Sequence, residues 1–227
     1  SEWRADVPPP SETVFEREAA ELRRAALAFL QMEREHWSRG DAGRWMQFET
    51  GFGYGAPPGV YVVDDSRQIA IRGRADRIDA LPDGTLRVVD YKTGAATRYT
   101  KNPKGGPFNG GRQLQPPLYA AAVETVTGRP VSRVEYRFPT ERGGNETVVY
   151  TTAELGAARE TIRTLLDHVR AGEFVPTTNA ADCAFCGYQS ICRASRNDFG
   201  NTDSPRAAWA EAHAEDLPVY TTMLARR

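Results

Sequence analysis

Two periods of apolar and polar residues organise this chain. From Thr13, which with Glu16 makes a capping box, Phe15, Ala19, Leu22, Ala26 and Phe29 recur at helical spacing to about Glu35 and predict an amphipathic helix. Its charges, and His36 at its end, read as a solvated face. Residues 45–63 mix aromatics with glycine and proline, which predicts a strand near Met46–Phe52 containing Glu49, then a loop and a short second strand. Strand-like runs IAIRGRADRIDAL and TLRVVDY flank the turn residues Pro82, Asp83 and Gly84, predicting a hairpin over 68–93.

Helical spacing returns in QLQPPLYAAAVETV, from Gln113 to Val126, with two prolines in the first turn and a stop at Gly128. Val131–Phe138 and Glu146–Thr151 predict strands. Thr151 with Glu154 forms a second capping box ahead of an apolar stripe (Leu155, Ala158, Ile162, Leu165, Leu166, Val169) that Gly172 ends. A last helix is expected behind Ser204 and Pro205, with Trp209 and Leu217 anchoring the tail. Helix, strands, helix, strands, helix is the order of an α/β chain with helices packed on a mixed sheet.

The hairpin carries the candidate chemistry. With its turn centred on Asp83, Asp76 lies opposite Asp90, Arg74 opposite Lys92 and Ile78 opposite Val88, so that Asp76, Asp90 and Lys92 share one face. Two opposed carboxylates repel, and a divalent cation between them removes that objection. Asp79 falls on the other face, opposite Arg87, where a cross-strand ion pair is expected. The glycine-rich stretch Gly94–Arg112 then carries Arg98, Lys101, Lys104 and Arg112 without a single acidic residue, a composition suited to tracking phosphates.

Composition narrows the setting. The chain has 227 residues, 40% of them hydrophobic, and a formal net charge of −1, so any contact with a polyanion needs a local basic patch. No apolar run is long enough to span a membrane, and SEWRADVPPP lacks a signal-peptide pattern; a cytoplasmic protein is expected. The absent initiator methionine suggests a piece of a longer protein. Cys183, Cys186 and Cys192, in CAFCGYQSIC, do not make a secreted disulfide framework and read as metal ligands, with zinc and iron–sulfur both open. Either centre needs a fourth ligand, supplied from upstream or by a group such as His168 or His213.

Taken in order, GRADRID, VVDYKTG, LQPPLYA and CAFCGYQSIC resemble the RecB-family nucleases of the PD-(D/E)XK superfamily, and within it the iron–sulfur branch at the C-terminal end of AddB-type helicase–nucleases. The likeness runs from about Glu49 to Arg193. It implies a restriction-endonuclease-like α/β fold, a mixed central sheet flanked by helices, and a DNA nuclease dependent on Mg2+ or Mn2+, expected to be an exonuclease of repair or recombination. By motif position Asp76 and Asp90 would be metal ligands, the Tyr91 backbone carbonyl a further ligand and Lys92 the catalytic lysine. Gln115 and Tyr119 match the QxxxY helix of these enzymes. The three cysteines would ligate a 4Fe–4S cluster whose fourth ligand is not identified in this chain. Implied partners are DNA, as single strands or duplex ends, and a helicase domain or subunit, with no membrane.

Two features of the family are missing: a GxxxHxxLE-like motif that supplies an acid or histidine from a helix before the sheet, and the first cluster cysteine far upstream. Both fit an N-terminally incomplete nuclease core over 1–175, followed by a cysteine segment over 176–200 and a C-terminal helix and tail over 201–227. They also keep open a non-cleaving, DNA-binding or scaffolding module.

Overall fold

The computed structural model describes residues 7–39, 43–99, 106–174, 186–192, 205–219 and 221. Helix α1 (Glu12–Trp37) begins at Ser11, whose hydroxyl accepts the Val14 N–H at 3.3 Å. The cap is therefore Ser11, and Thr13 lies inside the first turn. Strand β1 (Arg44–Phe52) leads to β2 (Gly59–Asp64) and β3 (Arg67–Ile71), which pair with each other in a separate two-stranded sheet. The run IAIRGRADRIDAL is thus not one strand. It divides at Arg72, and β4 (Gly73–Ala80) enters a different sheet. A turn then leads into β5 (Leu86–Tyr91): Asp83 Oδ1 accepts the Thr85 N–H and hydroxyl at 2.9 and 2.7 Å, and Gly84 takes a left-handed φ of 86°.

The main sheet has five strands in the order β1-β4-β5-β6-β7, where β6 is Val131–Arg137 and β7 is Thr147–Thr151. Only β5 and β6 are parallel. Parallel neighbours need a crossover, and helix α2 (Gln115–Thr127) supplies it. Its sequence is apolar nearly all round because it is covered on two sides, packing on β5 and β6 as well as on β2. Ala120, Ala122 and Val123 are buried there. The approach to β2 is close: a Cβ on Gly59 would lie 2.3 Å from that of Ala122, and the Thr125 hydroxyl accepts the Val60 N–H at 3.2 Å.

Helix α1 covers the opposite face of the sheet through its last turns, where Phe29 meets the ring of Tyr91 edge-on at 5.5 Å. The polar side of α1 is not solvated throughout, since Glu33 and His36 are its two buried residues. They meet arginines rising from the sheet. With a helix on each face, this is the mixed-sheet α/β architecture the resemblance implied.

The chain divides into two compact units, Ser1–Lys101 with Gln113–Ala157 and Asn102–Arg112 with Ala158–Arg227. Helix α3 (Thr152–Ala171) begins behind Thr151, whose N–H and hydroxyl both donate to Glu154 Oε2, at 2.8 and 3.0 Å. In the second unit His168 lies 3.7 Å from Glu173, and helix α4 (Pro205–Ala212) buries Ala210. Trp209 is not the expected anchor: it is 54% exposed and stacks on His213 at 4.6 Å. Among the described residues no helix is long and apolar enough to cross a membrane.

Candidate active site

Strand β4 pairs with β5 through Ala80–Leu86, Asp79–Arg87, Ile78–Val88 and Arg77–Val89. Because side chains alternate, Asp76 and Asp90 emerge on the α2 face and Arg77, Asp79 and Arg87 on the α1 face. The ladder stops at Arg77–Val89, and Asp76 takes over where it ends: its Oδ2 accepts the Tyr91 N–H at 2.8 Å. Lys92 lies just past the end of β5 and donates its backbone N–H to the Arg137 carbonyl at 2.9 Å. Arg74, like Lys92, lies beyond the end of the β4–β5 ladder. It pairs with Gly51 of β1 and meets Glu49 at 2.9 Å in an exposed ion pair.

The Lys92 ammonium sits 2.7 Å from Asp90 Oδ2, donates to Gln115 Oε1 at 3.0 Å and lies 4.9 Å over the Tyr136 ring. Gln115, opening α2 beside two prolines, has its amide oriented by its neighbours. Its oxygen accepts from Lys92 and from the Tyr136 hydroxyl at 3.0 Å, and its NH2 donates to Asp90 Oδ1 at 3.1 Å. One amide therefore joins the carboxylate to the lysine. Tyr119, one turn along α2, makes no such bond among the described residues; its ring packs edge-on against Phe52 at 5.4 Å. Tyr136 was missed from the sequence, where its strand gave no chemical reason to single it out.

Burial, aided by the charge of Asp76, pushes the Asp90 carboxyl above its ordinary value against the pull of Lys92. Asp90 Oδ2 is buried with no hydrogen-bond partner; Lys92 approaches it without hydrogen-bond geometry. Two carboxylates on one face, one of them buried and already drawing the Lys92 ammonium to 2.7 Å, fit a cation. Among the described residues no three His, Cys, Asp or Glu side chains form a metal-binding group. Two carboxylates suit a hard ion that completes its shell with carbonyl, water or phosphate oxygens.

Behind the sheet lies a buried network. Arg77 donates to both oxygens of Asp79 (2.7 and 2.9 Å) and to the Tyr91 hydroxyl (2.9 Å), and pairs with Glu33 Oε2 at 2.7 Å. Arg87 also pairs with Asp79, at 2.5 Å, so the expected cross-strand pair exists but is fully buried. Arg137 joins Glu33 to Glu135, both at 2.7 Å. Burial alone would raise the Asp79 carboxyl, yet the hydrogen bonds from Arg77 and Arg87 hold it below the ordinary range. Glu33 is an acid from the helix preceding the sheet, but it is bound to the α1 face and does not join Asp76 and Asp90.

Of the basic residues, Arg98 lies on a 3-10 helix, Ala96–Tyr99, anchored by Tyr99 against Tyr136 (5.0 Å) and Phe138 (5.3 Å). Its side chain, like Lys101 and Lys104, lies outside the described residues. Arg112 follows the 3-10 turn Asn109–Gly111 in the second unit. Cys183 and the side chain of Cys192 also lie outside, while Cys186 Sγ accepts the Tyr188 N–H at 3.4 Å.

Over 52 residues the chain is 50% identical to an ATP-dependent helicase/deoxyribonuclease subunit of Acetivibrio thermocellus, a match that covers 21% of this chain and 4% of that protein. The chain thus spans only a small part of this relative's length. The sequence model of the PD-(D/E)XK nuclease superfamily matches residues 2–193, which include the hairpin, the lysine and the crossover helix, and the chain belongs to that superfamily.

Proposed function

We propose that the chain is a deoxyribonuclease dependent on Mg2+ or Mn2+, an exonuclease serving DNA repair or recombination alongside a helicase domain or subunit. The observation that supports it most is Gln115 bridging Asp90 and Lys92 on the face that also carries Asp76. The relative from Acetivibrio thermocellus, a helicase/deoxyribonuclease subunit, supports the partner class. Asp76, Asp90 and the Tyr91 carbonyl would hold the ion, which supplies a Lewis acid that makes water nucleophilic near neutral pH and offsets charge on the phosphodiester. Lys92 orients the attacking water and carries positive charge to the phosphorane-like transition state. Gln115 holds the ammonium beside Asp90, and the Tyr136 ring keeps that position through cation–π attraction.

Lys92→Ala and Asp90→Ala are each expected to abolish cleavage of end-labelled single-stranded and duplex DNA in Mg2+ or Mn2+ while leaving DNA binding largely intact. Retained cleavage in either variant rejects the assignment. A non-cleaving DNA-binding module is favoured by one observation: Glu33, the acid on the preceding helix, is committed to Arg77 and Arg137. DNA bound but left whole by the unaltered protein would select that reading.

For the cysteine segment we propose three ligands, Cys183, Cys186 and Cys192, to a 4Fe–4S cluster; the spacing of CAFCGYQSIC supports a metal centre, and its resemblance to the iron–sulfur branch supports the cluster over zinc. Protein purified without oxygen is expected to contain iron and inorganic sulfide; zinc without sulfide rejects the cluster.

A further inference from the structure

We propose that Arg77 is a positioning residue of the site on the opposite face of the sheet, acting through the hydroxyl of Tyr91. The inference rests on the reading of Asp76, Asp90 and the Tyr91 carbonyl as an ion-binding set. Tyr91 is where the two faces meet: its side chain points toward α1, while Asp90 and Lys92 on either side of it serve the α2 face. The pairing of β4 with β5 has already ended at Arg77–Val89. Two successive residues of β4 then hold Tyr91 from both faces. Asp76 accepts its N–H at 2.8 Å, and Arg77 donates to its hydroxyl at 2.9 Å. Phe29 closes on the ring from α1.

Arg77 is suited to this because its own plane is fixed. Both Asp79 oxygens bind its Nε and Nη2 side, which leaves Nη1 for Glu33 and Tyr91. Burial leaves the guanidinium 1% exposed. A lysine there keeps the charge and loses the fork. Removing only the Tyr91 hydroxyl leaves Arg77 its partners Asp79 and Glu33, so Tyr91→Phe keeps the buried network and the pairing of Tyr91 with Arg137 of β6, and removes only the tie from Arg77 to the Tyr91 ring.

The test reads ion affinity and stability separately, with Mn2+ as the probe, followed by the electron paramagnetic resonance of the free ion, beside thermal melting. Tyr91→Phe is expected to melt within a few degrees of the unaltered protein and to bind Mn2+ about 10-fold more weakly, the size of effect seen when a support of a metal ligand is lost. Arg77→Lys is expected to weaken Mn2+ binding as well. Val63→Ala, a truncation in the buried core of the β2–β3 sheet, should lower the melting temperature and leave Mn2+ affinity unchanged. Unchanged affinity in Tyr91→Phe, with Mn2+ bound by the unaltered protein, overturns the inference alone. Loss of affinity in Val63→Ala equal to that in Tyr91→Phe also overturns it, because the effect would then follow stability. Failure of the unaltered protein to bind Mn2+ overturns the ion-site reading and the inference with it.

Discussion

His36 Nε2 lies 2.6 Å from Nη2 of Arg87, and a guanidinium has no lone pair to offer, so the imidazole accepts there and carries its proton on Nδ1. Burial, then the charges of Arg87 and Arg137, lower its pKa from 6.5 to about 4 against the opposite pull of Glu135 and Glu33. The folded pKa is the lower one, so the unfolded chain takes up the proton first as pH falls. The stability this histidine supports is whole above pH 6.5 and lost progressively toward pH 4. Between pH 6.5 and about 5, the linkage amounts to roughly 1.5 kcal/mol. His36→Gln keeps an acceptor for Arg87 without a titration, and its denaturant midpoint should lose that slope across the same interval. An unchanged slope would assign the acid sensitivity to other groups. The sequence placed Asp76 and Asp90 on one face because a tight turn fixes register and register fixes faces. It left His36 and Glu33 among solvated charges because nothing local distinguishes them from the other polar residues of α1. Their partners come from three strands, yet Arg77 and Asp79, Arg87, and Arg133, Glu135 and Arg137 share one parity, so a charged sheet face was there to be read.

At the scale of elements, α2 does two jobs: it carries Gln115 to Asp90 and Lys92 and fills the space between the β2–β3 pair and the main sheet. The second job depends on Gly59. Gly59→Ala would set a methyl 2.3 Å from that of Ala122 and is expected to destabilise the protein by about 2–3 kcal/mol, an overpacking penalty. Adding Ala122→Gly to that variant removes the nearer of two collisions, leaving the residue 122 Cα at 2.6 Å, and should recover part of the loss in a double-mutant cycle, despite the poorer helix propensity of glycine. Strictly additive losses would mean that this contact does not limit the packing. Helix α2 was legible because prolines and Gly128 mark its two ends, and β6 and β7 were legible by alternation. The division at Arg72 was not, since β3 and β4 have the same local character and differ only in the partner each meets. The cap shifted from Thr13 to Ser11 for a similar reason: both are good capping residues two positions apart, and backbone geometry decided between them.

At the scale of the molecule, charge decides how DNA could be held. Lys and Arg number 29 against 30 Asp and Glu, and three of the arginines, Arg77, Arg87 and Arg137, are buried against Asp79, Glu33 and Glu135, so they add little to the field outside. A polyanion must find a local excess, and 94–112 has four basic residues and no acidic one, in a stretch that follows Lys92 along the chain. Each phosphate neutralised releases counterions, so log K should fall against log salt with a slope of about −0.7 per contact on single strands and about −0.9 on duplex. Replacing Arg98, Lys101, Lys104 and Arg112 with serine is therefore expected to flatten the slope by roughly 3 on single strands if all four touch phosphates. Four arginines exposed elsewhere in the chain, Arg17, Arg23, Arg34 and Arg163, serve as the charge-matched control and should leave the slope nearly as it was. Equal flattening in both sets would make the attraction a property of net charge, and no flattening in the first would remove 94–112 from the DNA path. Neither result bears on Asp76, Asp90 and Lys92, because loss of a phosphate contact weakens binding at every sequence without touching the groups that would break the bond.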